Sequence, residues 1–133
     1  MMLISLTPMT ITKYMTILSM TAVPVLPVWM FSRKAGNDMR EQSIEYSLRD
    51  AVKGAGGVCW KFVSPGTSGV PDRIILMPQG HMAFVEVKSP GEKPRALQLS
   101  RHRLLKRLGF KVYVLDSKAD IRKIIEEVQN ETA

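Results

Sequence analysis

The stretch Gly69-Val70-Pro71-Asp72-Arg73-Ile74-Ile75-Leu76-Met77, followed after Pro78-Gln79-Gly80-His81 by Met82-Ala83-Phe84-Val85-Glu86-Val87-Lys88, decides the fold. Two apolar runs joined by a short turn rich in Pro and Gly read as a β-hairpin. Successive side chains of a strand point to opposite faces, so Glu86 and Lys88 share one face and Val85 and Val87 take the other. Asp72 stands at the mouth of the first strand, where its carboxylate can lie beside that of Glu86. Upstream, Val58 to Phe62 reads as a short buried strand, and Ser64-Pro65-Gly66-Thr67-Ser68-Gly69 as a flexible loop leading to Asp72. Before that, Ile44, Leu48, Ala51 and Val52 recur at helical spacing from about Met39 to Lys53. Asp38 with Glu41 resembles a capping box, and Gly54, Gly56 and Gly57 end the pattern. Downstream, Ser89 to Pro94 breaks the strand. A second amphipathic helix follows from Arg95, marked by Leu97, Leu104, Leu105 and Leu108 and closed by Gly109. Phe110 to Leu115 is a fourth strand, and Asp116 or Ser117 can cap a last helix bearing Ile121, Ile124, Ile125 and Val128. The order is α, β, β, β, α, β, α.

With 133 residues the chain suits a single core. Its formal net charge of +7 fits a polyanionic partner without proving one. Residues 1–38 stand apart as a hydrophobic extension rich in Met, Thr, Ile, Leu and Pro, with Lys13, Arg33, Lys34 and Asp38 its only charges. The uncharged run from Tyr14 to Phe31 approaches bilayer length, but Pro24 and Pro27 interrupt it, so a membrane anchor is disfavoured. A protein starting at Met39 is the plainest reading of that segment, and the cytoplasm the expected location. Residues 39–133 form the expected domain, with 16 Lys and Arg against 11 Asp and Glu, a net +5. The single cysteine, Cys59, rules out an internal disulfide and a cysteine-rich zinc site, and reads as a buried thiol. His81 and His102 are too few for a histidine-based metal site and read as structural or solvent-facing.

Any metal must then be held by oxygen. Convergent carboxylates repel one another unless a cation neutralises them, and oxygen-only ligation favours Mg²⁺ or Mn²⁺ with retained waters. Such a metal beside Asp72 and Glu86 polarises a phosphate and activates water, and Lys88 can orient that water or stabilise developing charge, which is phosphodiester hydrolysis. A salt-bridged sheet edge would show the same alternation of Glu86 and Lys88, and the residues alone do not decide between the two.

Five stretches in order carry a resemblance: Glu41-Gln42-Ser43-Ile44-Glu45; Lys61 to Gly66; Gly69-Val70-Pro71-Asp72-Arg73; Phe84-Val85-Glu86-Val87-Lys88-Ser89-Pro90-Gly91; and Leu97-Gln98. Together they resemble the VRR-NUC domain of the PD-(D/E)XK nucleases, from Met39 to about Val128. The resemblance implies a restriction-endonuclease-like α/β fold, an αβββαβ core with a mixed central sheet flanked by helices, here with an extra C-terminal helix. It also implies Mg²⁺- or Mn²⁺-dependent cleavage of DNA. Asp72, Glu86 and Lys88 fall on the motif positions, with the Val87 backbone carbonyl as a further metal ligand. The helix-one acid falls on Glu45 in preference to Glu41, which already has a capping explanation. Gln98 matches a glutamine that could hold the catalytic water or a phosphate, although a solvent-facing helical glutamine would look the same. DNA contacts are expected at Ser64, Gly66, Gly69, Arg73, Lys93 and Arg95, with Arg101, Arg103, Lys106 and Arg107 available for backbone phosphates. Stand-alone members of the family, found in phages and bacteria, resemble Holliday-junction resolvases. That implies a homodimer acting on branched DNA. The competing expectation is a DNA-binding or assembly module that keeps the fold without turnover.

Overall fold

The computed structural model describes residues 27–130. The chain divides into the units Met1–Arg33 and Lys34–Ala133, and the second holds the sheet and everything discussed below. The expected anchor from Tyr14 lies largely outside the described residues. Among those that are described, no helix is long and apolar enough to cross a membrane.

The elements are α1 (Val28–Gly54), β1 (Val58–Lys61), β2 (Arg73–Leu76), β3 (Met82–Val87), α2 (Ala96–Arg107), β4 (Val112–Leu115) and α3 (Ile121–Gln129). The sheet runs β1-β2-β3-β4, antiparallel except for the parallel β3–β4 pair. The expected mixed α/β architecture is therefore present, including the hairpin of β2 and β3. Its turn needs left-handed backbone at Gln79 (φ 68°) and Gly80 (φ 79°), which Gly tolerates without strain.

Pairing of Cys59 with Ile75, Ile75 with Ala83 and Val87 with Leu115 aligns one face of the sheet. There Ile75, Ala83, Val85, Val87 and Leu115 pack with Ile44, Leu48 and Val52 of α1 and Ile121, Ile124, Ile125 and Val128 of α3. Every apolar position expected for the last helix is buried. Ser117 caps a short 3-10 turn, Lys118–Asp120, that leads into α3, its hydroxyl accepting from the Ala119 amide at 3.2 Å. Where α1 hands over to β1 the backbone passes close beneath the β2 end: a Cβ at Gly57 would stand 2.5 Å from the Leu76 carbonyl and 2.5 Å from Met77 Sδ. Backbone cannot yield cheaply, so Gly57→Ala is expected to cost roughly 2 kcal/mol, read as a lower midpoint in urea with unchanged slope.

Four expectations are corrected. Helix α1 runs through Asp38, so Asp38 and Glu41 sit inside a helix rather than capping one, and the boundary expected at 38/39 falls within α1. Strand β1 is an edge and not a buried strand; Val58 and Trp60 are exposed, Trp60 by 60%. Along α2 and its C-cap, Leu97, Leu99, Leu104 and Leu108 are exposed, Leu105 is half-buried, and the one buried residue is His102. Cys59 is half-buried instead of sealed in the core.

Candidate active site

The second face of the sheet carries the polar cluster. Because Arg73 pairs with Val85 and Lys61 with Arg73, Asp72 falls level with Glu86 on one side and Phe62 on the other. The Phe62 amide donates to the Asp72 carbonyl at 2.8 Å, and the Val87 amide donates to Asp72 Oδ2 at 3.1 Å, which aims that carboxylate across the hairpin. One residue past β3, the Lys88 amide donates to the Leu115 carbonyl at 2.9 Å, prolonging the strand so that Lys88 keeps the face of Glu86. The loop beyond is pinned to α1: Ser89 Oγ donates to the Asn37 carbonyl at 2.6 Å and Asn37 Nδ2 to Glu92 Oε1 at 2.7 Å.

Glu86 is 0% exposed. Its Oε1 lies 3.0 Å from Lys88 Nζ and accepts from Gln98 Nε2 at 2.5 Å. Gln98 in turn is fixed end to end, because its Oε1 accepts from the Arg95 amide at 2.8 Å. Its amide group therefore serves the glutamate. Burial pushes the Glu86 carboxyl up to about 7; Lys88 opposes that rise and the nearby Asp72 reinforces it. Glu86 Oε2 makes no hydrogen bond although it is sealed from solvent. A buried, unpartnered carboxylate oxygen next to a second carboxylate is a poor resting state for a protein alone and a suitable one for a cation. The described residues contain no group of three His, Cys, Asp or Glu able to hold a metal. Asp72 and Glu86 offer few donors, all of them oxygen, which suits an ion that keeps several of its waters, as Mg²⁺ does.

The two candidate acids of helix one separate cleanly. Glu45 is taken by Arg73, whose Nη2 and Nε reach its two oxygens at 3.0 and 3.4 Å. Glu41, one turn earlier, has its carboxyl raised chiefly by burial, and among the charges it feels are Lys88 and Asp72. Of the two, Glu41 is the one whose carboxyl is shifted by the charges of Lys88 and Asp72. Pairing with Glu45 occupies the guanidinium of Arg73. Gly69 also has an internal reason: at φ 82° it lies against α2, where a Cβ would stand 2.8 Å from Leu97 Cγ. Arg101 Nε, donating to the Ser68 carbonyl at 3.0 Å, fastens that loop to the same helix. Ser64 is half-buried, whereas Gly66, Lys93 and Arg95 are exposed.

Sequence reasoning gave His102 a structural or solvent-facing role and no part in the site. It is 4% exposed, with Nε2 3.5 Å from Glu86 Oε2, and burial, ahead of the Lys106 charge, lowers its pKa. The available signal was its position four residues after Gln98, one helical turn along the same face.

A groove of about 580 Å³ between α1 and α3, lined by Ser47, Ala51, Ile121 and Ile125 among others, lies away from these acids and contributes nothing to them.

Comparison with known proteins agrees with this arrangement. Residues 28–119 match the model of the VRR-NUC domain. The chain is 50% identical over 90 residues to protein p44 of Acyrthosiphon pisum secondary endosymbiont phage 1, which is named for an inferred nuclease activity, covering 68% of this chain and 96% of that one. A solved VRR-NUC domain superposes with a TM-score of 0.62 at 31% identity, covering 65% of this chain and 95% of the other. A hairpin carrying an aspartate, a glutamate and a lysine on one sheet face, in a chain matched by sequence and by fold along most of its length, places this protein in the VRR-NUC nuclease family.

Proposed function

We propose that the protein is a divalent-metal-dependent endonuclease that cuts branched DNA, four-way junctions foremost, as a homodimer. The observation that carries the catalytic part is the sealed Glu86 carboxylate, with Oε2 free of hydrogen bonds, beside Asp72 and Lys88. Asp72, Glu86 and the Val87 carbonyl would hold Mg²⁺ or Mn²⁺, with Glu41 at the margin. Such an ion polarises the scissile phosphate and lowers the pKa of a water. Lys88, with its side chain 15% exposed, keeps an ammonium against Glu86 Oε1, where it can steady the attacking water or offset charge building on the phosphate. Gln98 holds the glutamate rather than the water. Exposed Lys93, Arg95, Arg103, Lys106 and Arg107 on and before α2 offer contacts to sugar-phosphate, which position DNA without reading bases. Among the described residues no recognition helix for a groove is evident, and DNA shape is the natural basis of choice. Symmetric cutting of a junction needs two such sites related by a two-fold axis, hence the dimer.

The full chain incubated with Mg²⁺ and labelled four-way junction, flap and plain duplex tests the substrate. Preferential cutting of the junction supports it, and equal cutting of duplex removes the selectivity. Sedimentation at working concentration checks the dimer, and a monomer that still makes paired cuts would remove it. Glu41→Ala is expected to lower kcat by about tenfold or more at fixed Mg²⁺ while leaving thermal stability near wild type. Glu45→Ala is expected to do the reverse, costing about 1 kcal/mol by stranding Arg73 and leaving cleavage nearly intact. Equal effects of the two on kcat would return Glu45 to the site.

A further inference from the structure

We propose that His102 is a positioning residue that holds the second oxygen of Glu86, completing with Gln98 a two-point grip on one carboxylate. The inference rests on the metal-binding reading of Glu86 above and extends it to a residue that touches neither metal nor DNA. Gln98 and His102 lie one turn apart on α2 and reach the two oxygens separately: Gln98 Nε2 meets Oε1 at 2.5 Å, and His102 Nε2 faces Oε2 at 3.5 Å. Both members of the second pair are sealed from solvent, and neither atom has a hydrogen-bond partner. A bare ring nitrogen there would set its lone pair against that of a carboxylate oxygen with no water between them. Once Glu86 is ionised, as metal binding requires, only a proton on Nε2 makes the contact attractive, and a few tenths of an ångström separate it from ordinary hydrogen-bond length. A carboxylate oxygen has room for both a metal and one donor. With Oε1 fixed by Gln98 and Lys88, the Nε2–H fixes the ring-side direction of Oε2 and turns its remaining lone pair towards Asp72. Orienting partners of this kind tune metal ligands throughout protein chemistry. The grip also explains why α2 turns polar groups inward and leaves Leu104 and Leu108 outside.

Two measurements on the full chain test this. In the metal-free protein labelled with ¹⁵N-histidine, which has only His81 and His102 to assign, and at a pH well above 7, where Glu86 is ionised, long-range proton–nitrogen correlation should find His102 protonated at Nε2. A bare Nε2 overturns the proposal whatever the metal does. Calorimetric titration with Mn²⁺ should then show affinity about tenfold weaker in His102→Leu, which keeps bulk without a donor. His102→Gln, which restores a donor of similar reach, should recover most of that loss, and KM for DNA should stay unchanged in both. Unaltered Mn²⁺ affinity in His102→Leu, or equal losses in both variants, overturns the grip. If His102→Leu does not fold, His102→Asn, whose amide is too short to reach, takes its place against His102→Gln. Absence of Mn²⁺ binding by the wild type would sink the metal reading itself, and the tautomer would still decide whether His102 grips Glu86.

Discussion

Glu86→Ala is expected to lower DNA hydrolysis by about 10³-fold or more while leaving DNA affinity close to wild type. The carboxylate is the element on which the site converges: Lys88, Gln98 and His102 all address it, and Asp72 stands level with it on the neighbouring strand. Removing it takes away the buried oxygen best suited to a cation and leaves Lys88 without its partner. The basic residues of α2 are untouched, so the substrate should still dock. Single-turnover cleavage beside fluorescence anisotropy with the same labelled junction separates the two effects. Retained cutting would show that the hydrolytic centre lies elsewhere, and lost binding would show that Glu86 shapes the DNA surface. Glu86→Gln, which keeps the volume and the chance of a contact with His102, should be equally inactive and better folded.

The second large effect concerns pH in the absence of metal. Glu86 has a carboxyl raised from 4.5 to about 7, so the folded chain holds this proton more tightly than the unfolded chain does. The stabilisation from that difference is complete below about 4.5 and is lost as pH rises through about 7. In chelator, the wild type should therefore lose up to about 3 kcal/mol relative to Glu86→Gln between the acid and the alkaline side of that window. Mg²⁺ should reverse the loss, because it binds the deprotonated form, and metal affinity should climb over the same pH range. Urea midpoints of both proteins, with and without Mg²⁺, measure this; parallel curves would mean that Glu86 is not held neutral by its surroundings.

The catalytic hairpin was legible because a strand leaves little freedom. Once Ile74 to Met77 and Met82 to Val87 were paired, alternation alone put Glu86 and Lys88 on one face and Asp72 beside them. Helices gave less away. Glu41 and Glu45 are one turn apart, and nothing in their spacing tells which faces the site; Arg73, at the start of the second strand, pairs with Glu45, a contact that the sequence does not show. In α2 two stripes compete at helical spacing, the leucines at 97, 104 and 108 and the set Gln98, His102 and Leu105. Apolar pattern favours the first. The buried carboxylate behind the helix selects the second, and only the folded sheet reveals that it is there. The start of α1 was hidden for a similar reason: regular helical patterning begins only at Met39, yet Asn37 is held by Ser89 and Glu92, far along the chain.

Among the described residues strand β1 has a neighbour on one side alone, so half of its main-chain donors and acceptors point away from the sheet, beside an exposed indole. Its brevity, from Val58 to Lys61, and the ammonium at its end are what keep such a border from zipping onto another molecule. At high protein concentration, neutralising Lys61 is therefore expected to show first as turbidity, read by light scattering.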